Sequence, residues 1–302
     1  MTQTEKYIWL IDTIYKAKKI SLEDISQQWR DYAGLNADEK LHRATFNRWK
    51  DEIFSQFGIM ISCKRAGGYK YYIENPEVIE ENKLNKWMLD TIATGNLINS
   101  NISISDRILV NKIPSGNDHL KSIIDALKNN ARIEITYQQF DLDSHTFAIN
   151  PYCLKLFENR WYVLGKNNWG QIKIYCLDRI LKIKMLDARF AMPKNFDAER
   201  FFAPFFGVVI ADDETKPTKI VLRAYDVHRH YIASLPLHDS QRLIEDTGEY
   251  ADFELYVAPT YDLVMKLLSF GATIEVIKPV SLRNTMRGWV SELYEMYSNR
   301  LS

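Results

Sequence analysis

Seven cations, Lys40, Arg43, Arg48, Lys50, Lys64, Arg65 and Lys70, stand between residues 40 and 70 against two carboxylates, Asp51 and Glu52. Arg43, Thr45, Asn47, Arg48 and Lys50 fall in one segment, His42 to Phe57, where Phe46, Trp49, Ile53 and Phe57 repeat at helical spacing. At about 100° per residue, Ala44, Asn47, Arg48, Asp51 and Ser55 lie opposite that apolar stripe, with Arg43 and Lys50 on its flank. An amide and a guanidinium on one exposed helix face can read base edges in a major groove. Lys64, Arg65 and Lys70 surround a Gly67-Gly68 turn between two β-rich runs, where they can neutralise phosphates. Asp51 and Glu52 repel phosphate and favour a second reading, a small helical dimerisation module whose polar face is simply solvated.

Other chemistry is not legible. The chain has no Gly-x-Gly-x-x-Gly, Walker-type Gly-Lys-Ser/Thr, His-Glu-x-x-His or Gly-x-Ser-x-Gly sequence, so no catalytic residues can be named and no enzyme is expected. Cys63, Cys153 and Cys176 are too widely spaced for a disulfide framework or a thiolate zinc site. His228 and His230, two apart on a predicted helix, do not share a face and make a poor metal site even with His238. No metal or cofactor is expected.

Beyond these groups, the 302 residues balance 39 Lys and Arg against 39 Asp and Glu, which by itself argues against a polyanion partner. The regions differ: residues 1–75 carry 12 basic and 10 acidic groups, 76–117 carry 4 and 5, 118–196 carry 12 and 8, and 197–302 carry 11 and 16. The acidic C-terminal third therefore masks two basic modules. Hydrophobic content of 46% and charged content of 26% suit folded globular domains. No apolar run approaches a membrane span and the first residues lack a secretory pattern, so a cytoplasmic protein is expected.

Three helical patterns precede the Gly-Gly hairpin. The first carries Tyr7, Ile8, Leu10, Ile11, Ile14 and Tyr15; the second starts at Ser21, three residues before Asp24, with Leu22, Ile25 and Trp29 on one face. Gly34 and Asn36 mark the following loop. Three helices and a basic-tipped hairpin describe a winged helix-turn-helix over residues 1–75. A helical linker, 76–117, follows Pro76, with Trp87, Leu89, Ile92 and Leu97 apolar; it ends in the polar stretch Asn99–Ser105 and the turn Ile113-Pro114-Ser115-Gly116. A further helix near 117–129 carries Leu120, Ile123, Ile124 and Leu127. From Ala131 the period becomes two, and five short strands are expected at Arg132–Gln138, Thr146–Asn150, Tyr152–Phe157, Arg160–Lys166 and Gln171–Leu177, enough for a small β-barrel.

Asn150-Pro151-Tyr152-Cys153-Leu154, then Arg160-Trp161-Tyr162-Val163-Leu164-Gly165, then Leu177-Asp178-Arg179-Ile180 resemble the WYL domain, whose Trp-Tyr-Leu motif reads Trp161-Tyr162-Val163 in this chain. The resemblance implies a ligand-sensing Sm/SH3-like barrel over 118–196, coupled to a DNA-binding head as in WYL-type transcriptional regulators. It also implies that Tyr137, Trp161, Tyr162 and Arg179 meet a nucleic-acid or nucleotide-like ligand. Phe147 and Cys176 stand where such domains often carry arginines; His145, Lys155 and Arg160 are the cations available in their place. Adjacent strand residues face opposite sides, so Trp161 is expected in the core, while Tyr162 is open to either role and Asp178 and Arg179 can equally pair.

Residues 197–302 open on Phe201, Phe202, Phe205 and Phe206, expected as interdomain packing. After the linker 212–217 they read strand, helix, strand, strand, helix, strand, a ferredoxin-like βαββαβ order that resembles the WCX extension of WYL proteins. The last helix spaces Leu282, Met286, Trp289, Leu293 and Met296 as a seam, either for core packing or for a dimer contact. The expectation is thus a multidomain α+β regulator, homodimeric, binding double-stranded DNA and sensing a single-stranded nucleic acid or nucleotide effector. The alternative is an RNA- or nucleotide-binding adaptor in which the barrel is the active module.

Overall fold

The computed structural model describes residues 2–33, 41–66, 68–100, 102–109, 116–211 and 215–298. The loop expected at Gly34 and Asn36, Lys40, Gly67, part of the polar stretch at residue 101, the Ile113-Pro114-Ser115 part of the turn and the acidic 212–214 part of the linker lie outside those residues. The chain forms two compact units, Met1–Asn111 and Lys112–Ser302.

In the first unit, α1 (Gln3–Ala17) starts on a capping box in which Thr2 and Glu5 satisfy each other's backbone N–H groups. A two-residue strand, β1 (Ile20–Ser21), leads into α2 (Leu22–Ala33), where the Ser21 hydroxyl oxygen accepts the Asp24 N–H at 3.1 Å. Next come α3 (Arg43–Phe57), β2 (Ile61–Lys64) and β3 (Lys70–Ile73), and the strands pair antiparallel in the order β1-β3-β2. The core is aromatic: Trp49 of α3 meets Trp29 edge-on at 5.1 Å and Tyr7 at 6.4 Å, and Trp9 packs on Trp29 and Tyr32.

The expected linker helix belongs to this unit. Two helices, α4 (Glu77–Glu80) and α5 (Lys83–Ser100), place Ile79 and Leu89 in the same core, and the first compact unit runs to Asn111. Of the four apolar positions read from the sequence, Trp87 and Leu97 are exposed, because Leu89 and Ile92 set the face that packs on α1.

The second unit opens with α6 (Asn117–Asn129), followed by β4 (Ala131–Tyr137), β5 (His145–Phe157), β6 (Arg160–Asn167), β7 (Ile172–Cys176), a 3-10 turn Leu177–Arg179 and β8 (Ile180–Arg189). All neighbours are antiparallel in the order β7-β6-β5-β4-β8. The strands expected on either side of Pro151 are one strand, with a register shift between Pro151 and Cys153 where the missing proline N–H is tolerated. The strand β8 adds to the five expected from the period. Its burial recurs at Ile180, Ile183 and Leu186, every third residue, because its pairing with β4 shifts register twice. Ile123 and Ala126 of α6 cover the sheet core of Ile133, Ile135, Ile149 and Val163, whereas Ile124 turns outward.

After a short helix, α7 (Ala198–Phe202), the order is β9 (Thr218–Tyr225), α8 (His228–Ser234), β10 (Arg242–Asp246), β11 (Tyr250–Val257), α9 (Tyr261–Leu268), β12 (Ile274–Lys278) and α10 (Val280–Ser298). The sheet is antiparallel in the order β10-β11-β9-β12, and Ile220, Leu222, Phe253 and Leu255 point into a core closed by Ile232, Leu263, Val264 and Leu267. Leu282, Met286 and Trp289 of the expected seam pack on this core, whereas Leu293 and Met296 are exposed. No helix among the described residues is long and apolar enough to cross a membrane.

Phe46 is fully buried and meets Tyr71 of β3 edge-on at 4.6 Å, joining α3 to the hairpin. Phe46→Ala is expected to cost about 3–5 kcal/mol, measured as loss of urea resistance in amides of the first unit by hydrogen exchange, with amides of the second unit unchanged.

Candidate functional site

Burial of Phe46, Trp49 and Ile53 turns the opposite side of α3 to solvent. Arg43, Asn47 and Arg48 are exposed there, with Thr45 and Lys50 half-buried on the flanks. The helix ends at Gly58, whose φ of 68° lets its N–H reach the Phe54 carbonyl at 2.9 Å. The buried Asn75 amide then fixes the hairpin against that end: its Oδ1 accepts the Met60 N–H at 2.7 Å and its Nδ2 donates to the Gly58 carbonyl at 2.8 Å.

Lys64 and Lys70 are direct cross-strand partners at the hairpin tip, both exposed, and Arg65 follows at once. Like charges placed opposite on a ladder are destabilising. Among the described residues none of Arg43, Arg48, Lys50, Lys64, Arg65 and Lys70 is held in an ion pair. The eight residues read from the sequence therefore lie on two elements of one core, and six of them are cations. Asp51 and Glu52 are exposed on the later turns of α3.

The seven sequence-read residues of the second unit separate into distinct places. Tyr137 is buried; its hydroxyl oxygen accepts the Cys176 N–H at 3.2 Å and lies by the Arg179 guanidinium, and burial raises its pKa. Arg179 stacks over Phe140 at 4.1 Å. His145, the cross-strand partner of Tyr137, is exposed. Trp161 packs half-buried against the sheet core, as expected of one member of the Trp-Tyr pair. Lys155, Tyr162 and Cys176 are aligned across three strands and share the other face. Burial, with Cys176 beside it, pushes the Tyr162 hydroxyl up to about 12. Arg160 pairs with Asp178 at 3.3 Å.

Lys155 belongs to a strap joining the two sheets of this unit. Its Nζ donates to the Gly207 carbonyl at 2.6 Å and sits 4.1 Å over the Phe202 ring. A Cβ on Gly207 would collide with the Asp262 carboxylate and the Phe157 ring. Asp262 in turn accepts the N–H groups of Val208 and Val209 at 2.9 and 3.0 Å. The Phe201 to Phe206 run packs in this strap, Phe206 meeting Phe157 edge-on at 5.7 Å. Phe140, Trp169, Tyr175 and Asp262 are not among the sequence-read residues; only Trp169, in an Asn-Trp-Gly turn, carries a local signal. Among the described residues no group of three His, Cys, Asp or Glu could hold a metal ion.

Residues 118–185 match the WYL domain model and residues 216–294 match the WCX domain model. The chain carries a WYL domain followed by a WCX domain. The WYL match takes in β4 to β7 and most of β8; the WCX match takes in β9 to β12 and most of α10. No curated protein sequence matches the chain. Among solved structures it is similar to Proteasome accessory factor B/C (PafBC) of Arthrobacter aurescens, at 16% identity and a TM-score of 0.35, covering 94% of this chain and 46% of that one. It thus spans about half the length of that protein. It is also similar to a CRISPR Cas-related protein, at 11% identity and a TM-score of 0.39, over 98% of this chain and 86% of that one.

Burial lowers the Lys155 ammonium from the ordinary 10.5 to about 8, with partial compensation from Asp262. An unfolded chain keeps this lysine protonated up to its ordinary range. Between about pH 8 and 10.5 the unfolded state therefore binds more protons, and this group's contribution to stability rises with pH. Urea unfolding across that window should show the native protein gaining on Lys155→Gln as pH climbs; parallel curves would mean that the ammonium is not desolvated. Both proteins carry Cys153→Ala, because that thiol titrates in the field of Lys155; titration of Tyr162 is common to both.

Proposed function

We propose that the chain is a ligand-responsive, DNA-binding transcriptional regulator. The first unit is read as a winged helix-turn-helix, with α3 as recognition helix and the β2–β3 hairpin as wing. The observation that carries the reading is the run of six cations without ion pairs on these two elements, including the Lys64 and Lys70 pair that only an external anion would relieve. Asn47 and Arg48 are assigned to base edges, Arg43, Thr45 and Lys50 to flanking phosphates, and Lys64, Arg65 and Lys70 to phosphates under the wing.

The WYL sheet is read as an Sm/SH3-like barrel that senses an effector, with the register shift within β5 and the pairing of β4 to both β5 and β8 in support. The WCX part is read as a ferredoxin-like domain, in keeping with its βαββαβ order and antiparallel sheet. The protein works as a cytoplasmic homodimer and carries out no catalytic step; the exposed Leu293, Tyr294, Met296 and Tyr297 on α10 suit a contact between copies. Effector binding shifts the population of head geometries, and so the half-site spacing that two heads can match.

Fluorescence anisotropy of the full chain on duplex DNA tests the reading. On random-sequence duplex, Lys64→Ala with Arg65→Ala should reduce the salt slope by about 2, one for each phosphate no longer neutralised. On a duplex selected by the protein, Arg48→Ala should cost about 1–3 kcal/mol, and less on other sequences. Equal weakening on every sequence would make Arg48 a phosphate ligand, and no weakening would remove α3 from the interface.

A further inference from the structure

Four parts of the second unit meet around a cavity of about 490 Å³: the β5–β6 turn, the strap, the end of α8 and the end of α9. That volume suits a small organic ligand. One wall is Phe157, with Phe206 edge-on to it at 5.7 Å. The strap holds this wall in place, since a Cβ on Gly207 would strike the Phe157 ring and Asp262 accepts the next two N–H groups. Buried Ile232 and half-buried Phe270 continue the apolar lining, and Tyr231 and Leu235, 67% and 78% exposed, are its open part.

Two charged groups share the lining. Glu158 is exposed at the β5–β6 turn, and Lys266 is half-buried on α9 with its ammonium 5.4 Å from the centre of the Phe270 ring. Among the described residues neither enters an ion pair, with the other or with a third group. An aromatic face is a weaker partner for an ammonium than a carboxylate is. Apolar walls alone would accept any apolar molecule. A simple carboxylate would pair with Lys266 but meet repulsion from Glu158, and a simple amine would meet the converse. A molecule with both charges beside one apolar group complements every part of the lining.

We propose that this cavity binds a free α-amino acid with a large apolar side chain. The side chain lies against Phe157, Phe206 and Phe270, the carboxylate pairs with Lys266 and the ammonium with Glu158. None of these residues is among the seven read from the sequence for the effector of the WYL sheet. The site is therefore separate from that surface and does not rest on the regulator reading.

Calorimetric titration of the full chain with L-leucine, L-phenylalanine and L-tryptophan tests it, beside L-alanine and the amide and N-acetyl derivatives of whichever binds most tightly. At least one of the three should bind. Removing its carboxylate charge as the amide, or its ammonium charge by acetylation, should weaken binding by about 10- to 100-fold. L-alanine should bind at least about 10-fold more weakly, for want of apolar area. Lys266→Gln should weaken the parent amino acid and erase the difference between acid and amide. Glu158→Gln should do the same for the difference between free and acetylated amine, with both variants keeping the native melting profile. Equal or tighter binding of either derivative to the native protein overturns the amino-acid assignment. Full affinity in both variants overturns the location, and no binding by any of the three amino acids overturns the inference outright. Failure on duplex DNA would bear on the regulator reading and not on this site.

Discussion

Burial of Phe46, Trp49 and Ile53 decides which side of α3 meets solvent, and the cationic surface of the first unit depends on that decision. Each large side chain removed from water is worth about 1.5–3 kcal/mol. A like-charged cross-strand pair such as Lys64 and Lys70 opposes folding by at most about 1 kcal/mol. Core burial therefore wins, and the hairpin forms with its charges unrelieved. Asn75 then ties the end of α3 to the start of β2, so helix face and hairpin tip hold a fixed relation. Charge placement here is a consequence of packing.

In the second unit several cations are engaged inside the fold: Arg160 with Asp178, Lys155 with the strap, and Arg223 with Asp252 in a two-pronged pair at 2.8 Å. Lys166, Lys173, Lys182 and Lys184 stay exposed. The strap links the two sheets of this unit: Lys155 holds it from β5 and Asp262 holds it from α9.

Much of this fold is legible in the sequence where one period dominates. The stripe of α3, the Ser21 cap and the βαββαβ order can be read because local signals and tertiary packing agree. Elements escape where tertiary contacts override the period. The burial of β8 does not follow its Leu181-Lys182-Ile183-Lys184-Met185 alternation, since its pairing shifts twice, and the split expected at Pro151 fails because a strand can carry a proline at an irregularity in its ladder. Trp87, Leu97 and Ile124 fit buried faces by hydrophobicity alone, which does not say which of two adjacent apolar residues faces the core. The candidate DNA residues are legible because they share two local elements. The cavity beside the strap is not, since Phe157, Phe206, Tyr231 and Lys266 come from separate elements, and only the folded unit brings them together.

In the proposed regulator, the cations of the first unit meet duplex DNA. Sequencing the genomic DNA that co-purifies with the full chain, with and without added short single strands, tests it most directly. Enrichment of a small set of duplex sites sharing a common motif is predicted, abolished when Arg48 and Lys64 are replaced by alanine. Recovery of single strands alone, or of no enriched duplex, would contradict it.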